Sequence, residues 1–191
     1  KSNRPKEPMN IVLYGFGRIG RLVARMMTQT TGPGNYFILK AIVIRKGSED
    51  DIFKRASLLT RDSVHGPFDG TVRVDEENSN LIINGNVVNV IYASAPEEVN
   101  YSDYGIKDPI VIDNTGVWRN EEGLSKHIES GAKKVILTAP AKGDLKNIVN
   151  GINDDILDDG DSIISAASCT TNAIVPILKV INDEYGIESG H

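Results

Sequence analysis

The chain contains little cysteine, few aromatic residues and no long apolar run. Its 191 residues include one cysteine and one tryptophan, and 6% of them are aromatic. A single cysteine cannot form an internal disulfide, which fits a reducing compartment. No apolar run approaches the ~20 residues that cross a bilayer, and the polar residues 1–8 lack the apolar core of a secretion signal. We therefore expect a cytoplasmic protein that has no membrane partner.

An excess of positive charge is also absent. The formal net charge is −5, and 40% of the residues are hydrophobic and 25% charged, which is the usual mix of a globular protein. A negative chain has no general affinity for nucleic acid, so we expect no such partner. The length suits one domain and part of a second. We assign no metal-ligating residue.

The first organised stretch predicts a βαβ unit that binds a dinucleotide. An apolar run at residues 10–14 is followed by GFGRIG at residues 15–20, and a second apolar run covers residues 37–44. In this motif Gly15 allows a tight turn, Gly17 lets a pyrophosphate approach the backbone, and Gly20 lets a helix pack on a strand. Between the runs, apolar residues recur at helical spacing at Ile19, Leu22, Val23, Met26 and Met27. This helix is predicted to stop at residues 31–34, and the cofactor to be NAD or NADP.

The residue after the second predicted strand is Arg45, where NAD-binding folds usually carry Asp or Glu for the adenosine ribose. An arginine cannot accept a hydrogen bond from a ribose hydroxyl, but it can bind a 2′-phosphate. The pattern is thus consistent with use of NADP. The alternative is that Arg45 and Lys46 are solvated at a strand end.

The remaining pattern predicts the fold class. Asn84-Gly85 is a strong hairpin signal, Asn120 can cap a helix through Ile128, and Gly131 can end it. Residues 61–70, which include His65, are predicted as a loop without chemistry. We predict an α/β fold with a Rossmann-type, doubly wound, mainly parallel sheet and an antiparallel hairpin insertion. Further strands are predicted at residues 71–75, 80–83, 86–92, 109–113, 133–137 and 162–167, and a further helix across Ile52–Leu59.

The only cysteine, Cys169, lies in the segment SAASCTTN at residues 165–172, between an apolar run and an amphipathic segment. This order predicts a strand, a tight turn and a helix start. A thiol at a helix N-terminus is favoured as thiolate by unpaired N–H groups and the helix dipole. The same N–H groups, with neighbouring hydroxyls, can hold an anion. The alternative is a cysteine that acts as a small buried hydrophobe.

Four polar turns follow predicted strands of one sheet. They are the glycine motif, Thr115-Gly116, Thr138-Ala139 and Cys169. Open α/β sheets bind ligands at the carboxyl ends of their strands. A dinucleotide laid along that edge could therefore have its pyrophosphate at residues 15–20 and its far end near Cys169.

These motifs together resemble the glyceraldehyde-3-phosphate dehydrogenase family. The resemblance rests on GFGRIGR at residues 15–21 and ASCTTN at residues 167–172, with DSVHG at 62–66, NTG at 114–116 and LTAP at 137–140 between them. It covers residues 9–191. It implies that Cys169 attacks an aldehyde to give a thiohemiacetal, that hydride passes to the nicotinamide, and that phosphate releases the acyl group from sulfur.

The resemblance also implies roles for other residues. Arg18 and Ile19 would contact the pyrophosphate through their backbone, while Thr115, Gly116 and Thr138 would line the cofactor's path. Ser168 and Thr170 would help to hold the phosphate of glyceraldehyde 3-phosphate or inorganic phosphate. The chain departs from the family pattern at Tyr14 and at Ile44-Arg45, on the adenosine side.

We expect a flexible lead-in at residues 1–8, a dinucleotide-binding domain at 9–168 and the start of a catalytic domain at 169–191. The first helix of that catalytic domain is predicted to place Pro176 in its first turn or to kink there. The family's catalytic histidine lies beyond residue 191, so we expect this chain to be inactive or nearly so, and its final helix to promote self-association. The predicted final helix buries Ile174, Ile177, Leu178 and Ile181 on one face.

The family resemblance implies a homotetramer of glycolysis or gluconeogenesis for the longer protein. Two alternatives remain open. One is an erythrose-4-phosphate dehydrogenase, which has a similar cysteine motif. The other is a stand-alone dinucleotide-binding module, in which Cys169 would react no faster than free cysteine.

Overall fold

The computed structural model describes residues 8–29 and 36–190. The predicted lead-in up to residue 7 and the predicted helix stop at residues 31–34 lie outside the described residues. The strands are β1 (Met9–Tyr14), β2 (Phe37–Ile44), β3 (Arg61–Asp62), β4 (Gly66–Pro67), β5 (Val72–Asp75), β6 (Asn80–Ile83), β7 (Asn86–Tyr92), β8 (Ile110–Asp113), β9 (Lys134–Leu137) and β10 (Ile163–Ser165). The helices are α1 (Arg18–Gln29), α2 (Asp51–Thr60), α3 (Glu121–Glu129) and α4 (Cys169–Tyr185).

The main sheet in the described part of the chain has eight strands in the order β10-β9-β8-β1-β2-β7-β6-β5. The strands from β10 to β7 pair in parallel, and β6 and β5 extend the sheet by antiparallel pairing. The predicted fold class is therefore confirmed. The order reverses at β1, which lies between β8 and β2, and such a switch point opens a crevice for a ligand.

The antiparallel extension begins at the predicted hairpin. Asn84 and Gly85 have φ angles of 49° and 82°, and Ile83 pairs with Asn86 across the turn. Positive φ at both central residues is the type I′ geometry, which asparagine and glycine tolerate better than other residues.

The sheet is buried on both faces. Side chains of adjacent residues along a strand point to opposite sides, so one strand contributes to both cores. Leu13 of β1 packs with Ala24 of α1 and Leu59 of α2 on one face. Val12 and Tyr14 pack with Leu124 of α3 on the other.

The predicted loop at residues 61–70 contains the short antiparallel pair β3–β4. The buried Arg25 of α1 holds it in place, donating to the carbonyl oxygens of Leu59 at 2.9 Å and Gly66 at 3.1 Å. His65 contacts the carboxylate of Asp62 through Nδ1 at 3.1 Å. His65 thus supports the loop.

Helix α4 decides one part of the prediction and differs from another. Pro176 is its eighth residue, so the first-turn alternative is wrong and a kink at Pro176 stays a prediction. The apolar face predicted to be buried is exposed, since no described element covers it. Its side chains are Ile174 (51% exposed), Ile177 (62%), Leu178 (43%) and Ile181 (42%).

Candidate active site

The candidate site lies along the carboxyl edge of four neighbouring parallel strands, β1, β8, β9 and β10. The glycine motif follows β1, Thr115 follows β8, Thr138 follows β9, and Cys169 follows β10. Strands are about 4.8 Å apart, so three steps from β1 to β10 span roughly 14 Å. The predicted alignment of these turns is therefore observed.

The glycine motif has the geometry that a nucleotide-binding turn requires. Gly15 has a φ of 91°, and its N–H donates to the carbonyl oxygen of Val43 at 2.8 Å. A Cβ on Gly20 would lie 2.3 Å from the carbonyl oxygen of Gly15, so only glycine lets α1 start this close to the strand. Gly17 is exposed, and a Cβ on it would meet no described atom within 4 Å. The backbone at Gly17 is thus open to an approaching ligand.

A cavity adjoins this turn where β1, β2 and β7 end. Arg45, the predicted adenosine-side residue, lines it. So does Arg55, which the sequence did not single out. The full set of lining residues is Tyr14, Gly15, Phe16, Gly17, Val43, Ile44, Arg45, Arg55, Ala93, Ser94, Thr115 and Trp118.

Arg18 and Ile19 begin α1 beside Gly17. The Arg18 side chain turns toward the β3–β4 pair, where its Nη2 donates to Ser63 Oγ at 3.3 Å and its Nε lies 3.7 Å from Asp62 Oδ2. Ile19 is 48% exposed. A contact from these two residues to a pyrophosphate would therefore come from the backbone N–H groups of the helix start, as the family resemblance implies.

Behind the cavity, the buried carboxylate of Asp113 fixes the turn that carries Thr115. Asp113 Oδ1 accepts from the Thr115 N–H and hydroxyl, both at 2.7 Å, and Asp113 Oδ2 lies 3.1 Å from His127 Nε2. His127 packs edge-on against Tyr14, with ring centroids 4.7 Å apart. Burial, with the Asp113 charge adding to it, raises the pKa of the Tyr14 hydroxyl well above its ordinary value. Tyr14 is thus an uncharged wall of the cavity.

Between the cavity and the cysteine lie Gly116 and Thr138. Gly116 has a φ of 63°, which glycine adopts freely, and its ideal Cβ position is 3.7 Å from Ala139 Cβ. Thr138 is fixed by Oγ1, which lies 3.1 Å from the Asp113 carbonyl oxygen and 3.1 Å from Asn114 Oδ1. Both residues belong to the same edge as Thr115.

The cysteine turn is a strained strand-to-helix junction. Cys169 is exposed and is the first residue of α4. Ala167, two residues earlier, is buried and has a φ of 58°, which non-glycine residues rarely adopt. The turn is held by β9 and by a side chain of β10, because Ala166 N–H donates to Leu137 O at 2.8 Å and Ala167 N–H donates to Ser165 Oγ at 3.0 Å. An exposed thiol is incompatible with the alternative of a buried structural cysteine.

The hydroxyl groups around Cys169 cap the helix. Ser168 Oγ accepts from the Thr171 N–H at 3.0 Å, and it lies 3.1 Å from Thr170 Oγ1 and 2.6 Å from Thr171 Oγ1. Asn172 Nδ2 donates to the carbonyl oxygens of Ala166 and Ser168. The Cys169 and Thr170 N–H groups belong to the first turn, where a helix has no intrahelical acceptors for them. The Cys169 thiol, the Thr170 hydroxyl and the two N–H donors therefore all belong to the start of one helix.

The structure gathers the predicted residues into two groups on one edge. Gly15, Gly17, Arg45 and Thr115 line the cavity, whereas Ser168, Cys169 and Thr170 lie at the far end. Sequence reasoning missed Arg55 and the Asp113–His127 pair. The only signal for Arg55 was its i,i+4 spacing from Asp51.

Two further kinds of feature are absent from the described residues. Within residues 8–29 and 36–190, no helix combines the length and apolar character of a membrane span. In the same residues, no group of three or more histidine, cysteine or acidic side chains has the arrangement of a metal site.

Comparisons with known proteins agree on one family. Residues 9–121 match the family described as glyceraldehyde 3-phosphate dehydrogenase, NAD binding domain. A glyceraldehyde-3-phosphate dehydrogenase-like protein of Pseudomonas aeruginosa is 59% identical over 97% of this chain and 41% of its own length. The glyceraldehyde-3-phosphate dehydrogenase of Thermotoga maritima is 41% identical over 94% of this chain and 51% of its own length, and that of Clostridium acetobutylicum is 38% identical over 94% and 50%. The chain thus spans about half the length of these curated relatives.

Proposed function

Because the chain belongs to the glyceraldehyde-3-phosphate dehydrogenase family, we propose that it provides the cofactor site and the nucleophile of a phosphorylating aldehyde dehydrogenase. The proposed substrates are glyceraldehyde 3-phosphate, inorganic phosphate, and NAD or NADP. The observation that carries the proposal is the exposed Cys169 at the capped start of α4, on the same sheet edge as the glycine motif. In this proposal residues 9–168 form the cofactor-binding domain, and residues 169–191 begin the catalytic domain.

The cofactor would lie along the carboxyl edge. The open backbone at Gly17 and the first N–H groups of α1, at Arg18 and Ile19, suit the pyrophosphate, since they offer donors and the positive end of a helix dipole. Gly15, Arg45 and Thr115 line the cavity proposed for the adenosine half. Gly116 and Thr138 continue the edge toward Cys169. When bound, the cofactor would supply the acceptor for the hydride removed from the substrate.

Cys169 would act as the nucleophile. Its thiolate sulfur forms a bond to the aldehyde carbon and gives a thiohemiacetal, which is oxidised to a thioester while sulfur stays attached. An oxygen of inorganic phosphate then attacks the acyl carbon, the carbon–sulfur bond breaks, and an acyl phosphate leaves with the thiolate restored. A thiolate suits both steps, because it is a good nucleophile and a good leaving group.

Ser168 and Thr170 would hold phosphate groups beside the sulfur. Their hydroxyls lie 3.1 Å apart, at the start of a 17-residue helix. Hydroxyl donors together with unpaired N–H groups at a helix N-terminus favour a bound anion. The same donors suit the oxyanion that develops when the thiolate adds to a carbonyl.

The proposal is tested by the rate at which iodoacetamide alkylates Cys169, read by mass spectrometry with the Cys169→Ser variant as control. We expect a rate above that of free cysteine at neutral pH, slowed when NAD or NADP is bound. Alkylation at the free-cysteine rate by a chain that still binds cofactor would instead support the stand-alone dinucleotide-binding module. Failure to bind either cofactor would overturn the assignment of the glycine motif.

The aldehyde is identified by the same reaction. Glyceraldehyde 3-phosphate is expected to protect Cys169 from iodoacetamide at lower concentration than erythrose 4-phosphate does. The reverse order would favour the erythrose-4-phosphate dehydrogenase alternative. We also propose that a protein of the relatives' length is cytoplasmic and forms a homotetramer. Sedimentation of that protein would test the tetramer.

A further inference from the structure

The cavity at the end of β2 is unusual in its charge. Two arginines, Arg45 and Arg55, line it, and none of its described lining residues is acidic. A cavity that recognises the ribose of NAD ordinarily presents a carboxylate, which accepts hydrogen bonds from the ribose hydroxyls. The charge here is opposite to what that recognition requires.

A carboxylate is nearby, but it is already paired. Asp51, the first residue of α2, is buried, and its two oxygens accept from Arg55 Nε and Nη2, each at 3.2 Å. This side-by-side pair fixes the guanidinium of Arg55. A guanidinium has five N–H donors, so two bonds to Asp51 leave others for a ligand. Arg55 is thus a positioned cation rather than a solvated one.

Arg45 is the second arginine that lines this cavity. It directly follows Ile44, the last residue of β2, and it is exposed. The next residue, Lys46, has its Nζ 5.8 Å from the ring centroid of Tyr92 and does not line the cavity. Glu49 and Asp50 are exposed and also do not line it. The two arginines are therefore the charged groups that face a nucleotide in this cavity.

We propose that Arg55, together with Arg45, binds the 2′-phosphate of the adenosine ribose, so that this chain selects NADP over NAD. The inference rests on the proposed dinucleotide site. A phosphate dianion forms charge-assisted, bidentate hydrogen bonds with guanidinium groups. The adenosine ribose of NAD has a neutral 2′-hydroxyl in place of the phosphate dianion. An arginine cannot accept a hydrogen bond from that hydroxyl.

Calorimetric titration of the 191-residue chain with NADP and with NAD tests the proposal. We expect NADP to bind at least about 10-fold more tightly, as a charge-assisted hydrogen bond implies, and its affinity to fall as salt rises. Equal binding, or tighter binding of NAD, would overturn the selection of NADP while leaving the dinucleotide site intact. If neither binds, the proposed function itself fails.

Single substitutions test which residues select NADP over NAD. Arg45→Gln and Arg55→Gln are each expected to weaken NADP about 10-fold and to change NAD less than about 3-fold. Arg55→Lys keeps a charge beside Asp51 but loses the planar fork, and is expected to weaken NADP as well. The control, Arg73→Gln, removes the positive charge of an exposed residue on strand β5 and should change neither affinity. Equal losses for NAD and NADP in the Arg55 variants, which a general structural effect would give, would overturn the role of Arg55.

Discussion

The carboxylate of Asp113 joins His127 to Thr115. One oxygen accepts from the Thr115 N–H and hydroxyl at 2.7 Å, and the other lies 3.1 Å from His127 Nε2, with the side chains of Asp113 and His127 both fully buried. A carboxylate oxygen accepts from a protonated ring nitrogen, so the tautomer with a proton on Nε2 suits this contact. His127 Nδ1 has no hydrogen-bond partner among the described residues. The pair therefore links helix α3 to the turn that borders the nucleotide cavity.

The His127→Leu variant should be destabilised, because it leaves the buried Asp113 Oδ2 without a hydrogen-bond donor, while Oδ1 keeps its two bonds from Thr115. Leaving a buried polar group unsatisfied costs about 1–3 kcal/mol, and more when it is charged. His127→Gln keeps an N–H donor and should lose less free energy of unfolding. Urea denaturation of both variants provides the measurement. If the leucine variant were as stable as the glutamine variant, the bond to Asp113 would contribute nothing to stability.

Gly20→Ala and Gly17→Ala should separate folding from cofactor binding. A methyl at Gly20 would lie 2.3 Å from the Gly15 carbonyl oxygen, and such overpacking costs about 1–3 kcal/mol or more. A methyl at Gly17 meets open space in the protein, so its stability should stay within about 0.5 kcal/mol of wild type. That methyl would occupy the path proposed for the pyrophosphate. Thermal unfolding measures the stability of both variants, and calorimetric titration measures their cofactor affinity. Unimpaired cofactor binding by Gly17→Ala would contradict the proposed position of the pyrophosphate.

The sequence was sufficient to predict features that depend on local chemistry. The positive φ angles at Asn84 and Gly85 follow from the residues that a two-residue hairpin needs. Asn120 caps α3 through the Gly123 N–H, as its type and place predict. Cys169 lies at a helix start because a capping serine precedes it and an apolar strand ends just before.

Features that depend on contacts between distant segments could not be predicted. Arg55 lines the cavity together with Ile44 and Arg45 at the end of β2, a meeting of distant segments, and no periodicity in α2 distinguishes it from a solvated arginine. The pairing of Asp113 with His127 depends on how α3 packs on the sheet. Burial of Ile177 was predicted from helical spacing alone, yet spacing identifies an apolar face without supplying the surface that would cover it.

Stability should fall in acid because of Asp62. The N–H groups of His65 and Val64, followed by the His65 and Arg21 side chains, hold the pKa of this carboxyl well below its ordinary value of 3.8. A carboxyl whose pKa is lower in the folded state than in the unfolded state stabilises the fold. This stabilisation is fully present at a pH above the unfolded-state pKa, and it is lost as the pH falls toward the folded-state pKa.

The free energy of unfolding of wild type and of Asp62→Asn should therefore be compared by urea denaturation from neutral pH to about pH 3. The advantage of wild type should be constant near neutrality and should shrink below about pH 5. Asp75→Asn, on the edge strand β5, is the matched control for the loss of one carboxylate. A difference between wild type and Asp62→Asn that stays constant with pH would show that the Asp62 charge is not stabilised in the fold.

The exposed apolar face of α4 should make the 191-residue chain self-associate. Ile174, Ile177 and Ile181 lie on one side of the helix and are 42–62% exposed, and contiguous apolar patches favour association because burial removes them from water. Sedimentation should show a mass that rises with protein concentration, and the double variant Ile177→Glu/Ile181→Glu should remain monomeric. Val87→Glu is the control, since Val87 is an exposed apolar residue of β7 that lies away from this face. If Val87→Glu abolished association as well as the double variant does, or if the wild-type mass did not change with concentration, the apolar face of α4 would not be the contact between copies.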